Sequence, residues 1–120
     1  MAKKTLILGA TADSSRYAYL AANRLVSHGH TIVNVGFKTG EVADVVIERP
    51  VAIYNDIDTI TLYVSPRNQP SLYNYILNTK PRRIIFNPGT ENLELQQLAN
   101  DRGIMTDFAC TLVLLSTDQY

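Results

Sequence analysis

Residues 5–35 constrain this chain more than any other segment, because they set a buried strand, a glycine loop and an alanine-striped helix end to end. Thr5-Leu6-Ile7-Leu8 is a short apolar run between lysines and Gly9, the pattern of a strand covered on both faces. Beyond the loop, Ala18, Ala21, Ala22, Leu25 and Val26 recur at helical spacing and form one stripe, which Gly29 stops. Alanines on that stripe let the helix lie close on a sheet. Thr31-Ile32-Val33-Asn34-Val35 then supplies a second strand, completing a βαβ unit whose crossover is expected to be right-handed.

Residues 36–58 carry weaker signals. Gly36, Gly40, Pro50 and several acids interrupt short β-branched pieces such as Val45-Val46-Ile47, and this crossover reads as largely irregular. Thr59-Ile60-Thr61-Leu62-Tyr63-Val64 is a third strand by its β-branched and aromatic content. Pro70 opens a helix over residues 71–78, with Leu72, Tyr73, Ile76 and Leu77 on one face and Pro81 at its exit. Arg83-Ile84-Ile85-Phe86 is a fourth strand, residues 91–101 a helix with Leu95, Leu98 and Ala99 inward, and residues 104–106 a fifth, shorter strand after Gly103. Strands alternating with helices define an α/β chain: a Rossmann-like, doubly wound open sheet of about five mostly parallel strands with helices on both faces. At 120 residues it fits one domain.

Charge and cysteine content narrow the function classes. Eleven basic and eleven acidic side chains cancel, so no diffuse positive field draws the chain to nucleic acid or to an anionic membrane. An anion must therefore be held by local geometry. Cys110 is the one cysteine, which excludes an internal disulfide framework and a multi-cysteine zinc site and fits a reducing, cytoplasmic setting. The apolar segment near the N-terminus is too short for a signal peptide or a membrane span.

In an open parallel sheet the ligand lies outside the carboxyl ends of the strands, so the loops there are the candidates. The first is Gly9-Ala10-Thr11-Ala12-Asp13-Ser14-Ser15-Arg16, a dinucleotide-type loop with Thr11 and Ser14 in the second and third glycine slots. Free amides and the positive dipole end of the following helix favour a pyrophosphate, with hydroxyls from Thr11, Ser14 and Ser15 and a charge from Arg16. Alternatively, Asp13 or Ser14 simply caps that helix.

After the second strand come Gly36-Phe37-Lys38-Thr39-Gly40. No acid stands there to bind ribose hydroxyls, whereas Lys38 between two glycines offers a cation to a phosphorylated ribose, as in coenzyme A or NADP. Val64-Ser65-Pro66-Arg67-Asn68 and Asn87-Pro88-Gly89-Thr90-Glu91 expose backbone beside proline, a stiff wall for a flat base or a thin pantetheine arm. Arg67 is a further candidate for phosphate, and Glu91 reads as a dipole partner in a first helical turn. Cys110 lies beyond the fifth strand, either as inert packing or within reach of a cofactor's sulfur. His28 and His30 flank Gly29 in a surface turn, and Tyr17, Tyr19 and Tyr120 read as exposed rings, candidates for contact between copies.

These loops, in this order, resemble the coenzyme-A-binding domain family, its small stand-alone members and the N-terminal domain of the succinyl-CoA synthetase alpha subunit. The resemblance covers essentially the whole chain. It implies that Gly9-Ala10-Thr11 is the phosphate loop, which Ala12, Ser14 and Arg16 continue as candidate contacts, and that Lys38 meets the 3′-phosphate. It likewise places Val64, Ser65 and Pro66 beside the adenine, Asn87, Pro88 and Gly89 in the strand-four loop, and Cys110 near the thiol end. The chain departs from the family at Gly36-Phe37, where members commonly carry proline, and at Ser14, where the loop has a later glycine. No Ser-His-Asp set, metal-ligand spacing or paired carboxylates fall on the loops, so the reading is a coenzyme A or acyl-CoA binding protein without evident catalytic machinery. The rivals are an NADP-binding oxidoreductase subunit and a regulatory protein with a vestigial nucleotide site.

Overall fold

The computed structural model describes residues 2–120. Its elements are β1 (Thr5–Leu8), α1 (Tyr17–Ser27), β2 (Ile32–Val35), β3 (Glu41–Val42), β4 (Val45–Glu48), β5 (Thr59–Leu62), α2 (Tyr73–Thr79), β6 (Arg83–Phe86), α3 (Leu93–Asn100), β7 (Met105–Phe108) and α4 (Thr111–Ser116). They build one sheet in the order β3-β4-β2-β1-β5-β6-β7, in which only β3 runs antiparallel to its neighbour. The chain leaves β1 toward β2 and β4, then returns to the other side of β1 with β5. That reversal puts the switch point between β1 and β5.

Alternation along the strands divides two cores. Leu6 and Leu8 join Ile60, Leu62, Ile84 and Phe86 on the face covered by α2 and α3, through Ile76, Leu77, Leu95 and Ala99. Ile7 points the other way, into Ala18, Ala22 and Leu25 of α1 and Leu115 of α4. Helices cover both faces, as the sequence requires of a parallel sheet.

The crossover read as irregular instead holds the β3–β4 hairpin, which raises the strand count to seven. Its two-residue turn is Ala43-Asp44, both at positive φ (54° and 62°), a conformation that ordinarily selects asparagine or glycine. Tertiary bonds hold it: buried Asn34 on β2 donates its amide to the carbonyls of Val42 (3.1 Å) and Val45 (3.0 Å). Helix boundaries shift also. Asn92 caps α3 by accepting from the Leu95 amide, and Glu91 stands ahead of the helix, accepting from the Gly89 amide at 2.9 Å. The last strand extends to Phe108, and α4 follows it, a helix too short to show periodicity in sequence.

Tyr120 is not an exposed ring. Its hydroxyl bonds Thr5, the His30 ring packs edge-on at 4.9 Å between centroids, and the Arg83 guanidinium lies 4.6 Å over its face. Tyr17 is exposed, and Tyr19 is half-buried beside the α1 core. His30 is likewise more than a turn residue, because its Nδ1 accepts the Lys3 backbone amide at 2.9 Å.

That bond needs an unprotonated Nδ1, and burial, with the charges of His28 and Lys3, holds the His30 pKa below its usual 6.5. The unfolded chain therefore binds more protons than the folded one as pH falls from 6.5 toward the depressed value. Stability should be complete above 6.5 and decline through that window. In thermal unfolding followed by circular dichroism, the midpoint is expected to drop between about pH 7.5 and about pH 5.5, with a flatter slope in His30→Gln.

Candidate functional site

The carboxyl ends of β1, β2, β4 and β5 are tied together tightly enough to shape a cleft. The Val35 carbonyl accepts from both Gly9 (2.8 Å) and Ala10 (2.9 Å), Tyr63 donates to the Leu8 carbonyl (2.8 Å), and Gly36 donates to that of Glu48 (2.8 Å). Close approach demands glycine at two of these points. A Cβ on Gly9, which sits at φ 99°, would lie 2.7 Å from the Tyr63 carbonyl oxygen, and one on Gly36 would lie 2.4 Å from that of Ala10. Gly40 meets the Ala12 side chain, so both glycines flanking Lys38 press its loop against the first loop.

The resulting cleft, about 590 Å³, is walled by Gly9 to Asp13, Arg16 to Ala18, Phe37 to Thr39, Tyr63 to Ser65 and Asn68. That volume is within the range of small-molecule sites. Its floor includes the start of α1, and neither Asp13 nor Ser14 caps that helix. The capping position belongs to Arg16, which makes no side-chain cap bond, and the first turn carries no acid. Among the described residues the amides of Tyr17 and Ala18 find no acceptor. An unsatisfied positive helix end with a cation at its cap is the reverse of what helix stability favours, and fits a bound anion.

Asp13 is turned to a different use. Its Oδ1 accepts from the Ser15 hydroxyl (2.7 Å) and amide (3.0 Å), while its own amide donates to Thr11 Oγ1 (3.1 Å). The Ser15 bonds, then the charges of Arg16 and Lys38, hold the Asp13 pKa below its ordinary value. One carboxylate thus stands among two cations, leaving the rim net positive. Ser15 is consequently occupied by Asp13, not free for a ligand.

Of the residues singled out in sequence, Gly9, Ala10, Thr11, Ala12, Arg16, Lys38, Val64 and Ser65 share this cleft. Ser14, Pro66, Asn87, Pro88, Gly89 and Cys110 are outside its wall. Asn87 is buried and turned inward: its amide donates to Thr61 Oγ1 (2.7 Å) and the Leu62 carbonyl (3.0 Å), and its oxygen accepts the Thr111 amide (2.9 Å). Cys110 occupies the capping position of α4, half-buried. The cleft adds Tyr17, Phe37, Thr39, Tyr63 and Asn68. Adjacency to Arg16 and Lys38 was the available signal for Tyr17 and Phe37; nothing local marked Tyr63, whose hydroxyl is buried and whose pKa burial drives far upward.

Fold and site define a Rossmann-type α/β domain with a cleft at the switch point whose wall includes Arg16 and Lys38. Its residues 3–116 match the CoA binding domain model, and the chain belongs to that family. It superposes on the crystal structure of an uncharacterized protein with TM-score 0.98 and 53% identity, over 100% of this chain and 99% of the other. A Thermus thermophilus protein (TM-score 0.87, 20% identity, 99% and 91% covered) and a Pyrococcus furiosus protein (0.81, 21%, 92% and 97%) share the fold. No curated protein matches the chain. Among the described residues no helix is long and apolar enough to cross a membrane.

The glycine contacts set a direct test. Gly36→Ala drives a methyl into backbone, which cannot yield as a flexible side chain does. Chemical denaturation should show a loss of about 1–3 kcal/mol, the usual cost of overpacking.

Proposed function

We propose that the protein binds coenzyme A or an acyl derivative of it, with the cofactor's adenosine end in the switch-point cleft. The supporting observation is that an uncapped helix start, Arg16 and Lys38 all face one cleft. Coenzyme A presents a diphosphate and, on the same nucleoside, a separate 3′-phosphate. In this reading the Tyr17 and Ala18 amides with Arg16 hold the diphosphate, and Lys38 holds the 3′-phosphate. Val64 and Ser65 border the base. Pantetheine would leave the cleft along the sheet's carboxyl edge, toward the loop after β6 and Cys110. The chain's own residues supply binding and orientation in this account, and no chemistry.

Family membership supports the ligand class. The geometry supports the assignment within it, because the strand-two loop carries a cation and no ribose-binding acid. The test is calorimetry on wild type and Lys38→Ala with coenzyme A and dephospho-coenzyme A. Wild type should prefer coenzyme A, and Lys38→Ala should lose about tenfold for coenzyme A while binding dephospho-coenzyme A as before. Equal wild-type affinity for the two ligands would remove Lys38 from its role. Tighter binding of NADPH than of coenzyme A would replace the ligand.

Arg16 gives a second test, because it serves the diphosphate common to both ligands. Arg16→Ala should weaken coenzyme A and dephospho-coenzyme A alike, by about tenfold. Unequal losses would contradict its placement.

A further inference from the structure

The two edges of the sheet are finished differently. β3 closes one with two residues, of which Glu41 is charged, and a tight turn at Ala43-Asp44 ends it. β7 forms the other with four residues that include no proline and no lysine, two of the devices that ordinarily blunt an edge. From α3, Gln96 and Asn100 bond Thr106, while Met105 and Phe108 stay 66% and 45% exposed.

Backbone direction shows what this edge offers. The Met105 amide donates to the Arg82 carbonyl and the Ala109 amide to that of Phe86, so the odd-numbered residues face β6. By the alternation of a strand, Thr106 and Phe108 turn their N–H and C=O groups outward, and the Ile104 carbonyl follows them. The Ile104 amide is already taken by the Ala99 carbonyl. The side chains are polarised along the same edge. Beside the start of β7 lies a groove of about 690 Å³ lined by Lys80, Arg82 and Arg102 around Leu77, Pro81 and Ile104, with no acid among its described residues. At the far end of β7 stand Phe108 and Asp107, the one charge on the strand.

We propose that β7 is the interface of a symmetric dimer, in which two copies of this chain pair antiparallel about a twofold axis at Thr106. The two Thr106 residues then exchange both of their outward N–H···O bonds, and each Phe108 amide meets the Ile104 carbonyl of the second copy. Residues directly opposite share a face, so Phe108 packs on Ile104 at the groove. Asp107 comes opposite Met105, at the strand end where the second copy's cations stand. Centring on Phe108 instead would carry Asp107 away from them, and parallel pairing would set acid beside acid. Each contact is made twice, because a twofold interface is self-complementary. Strands of four residues bury little area, so association should be reversible and concentration-dependent. The dimer does not depend on which ligand the cleft takes.

The test is sedimentation velocity of the full chain over rising concentration, joined to amide hydrogen exchange followed by NMR. Monomer should give way to dimer, and a chain that stays monomeric up to about 1 mM overturns the proposal and leaves the edge to a different partner. As dimer forms, the Thr106 and Phe108 amides should gain protection, whereas those of Met105 and Asp107, bonded within the chain, should be protected throughout. A dimer that leaves the Thr106 and Phe108 amides exchanging as in the monomer overturns the β7 interface. Asp107→Lys sets a cation against the second copy's cations at an exposed position and should weaken the dimer about tenfold with an unchanged circular dichroism spectrum. Undiminished dimerisation of Asp107→Lys overturns the antiparallel register.

Discussion

The Val35 carbonyl, shared by the Gly9 and Ala10 amides, is the point on which the rest of the structure depends. It fastens the exit of β1 to the exit of β2 just where the two chains must part. A methyl group at Gly9 or Gly36 would break the fit, since backbone oxygens lie within 2.7 and 2.4 Å of where it would sit. The shape of the cleft follows from that closeness. The first loop has to rise over the sheet before entering α1, and the second has to fold back against it. Two loops separated by a helix and a strand in sequence thereby share one cleft, and their cations stand on the same rim.

On the far side of the switch point, bracing is done by buried amides. Gln69 donates to the carbonyls of Val64 and Thr90, both at 2.8 Å, and accepts from Asn92, joining the loops after β5 and β6. Asn87 reaches from β6 to β5 and to the start of α4. Each places its polar groups where water is excluded, so each bond is hard to replace once folded. Asn87, offered by the sequence as a ligand contact, acts in the structure as a strut. The loop after β5 is thereby tied at Val64 to the loop after β6.

Much of the fold was legible because buried parallel strands write themselves as short apolar runs, and β1, β2, β5 and β6 all do so. The β3–β4 hairpin was not, because its turn uses Ala43-Asp44 and is held by Asn34 from another strand. α4 escaped for a different reason: six residues give too little periodicity to separate helix from tail. Of the cleft wall, Gly9 to Ala12, Arg16, Lys38, Val64 and Ser65 were singled out in sequence, from the glycine loop, the charges and the strand ends. The inward turn of Asn87 was not, since hydrogen-bond direction is set by tertiary packing. Nor was the fate of Asp13, which with Ser14 was the alternative candidate for a helix cap and instead holds Ser15.

The cleft's claim on a diphosphate with an additional phosphate on the ribose is best examined by a crystal structure grown with coenzyme A. The account expects the diphosphate against the Tyr17 and Ala18 amides, with the 3′-phosphate within hydrogen-bonding distance of Lys38 Nζ. Coenzyme A bound away from the β1–β5 switch point, or lying in the cleft with Lys38 turned to solvent, would contradict it.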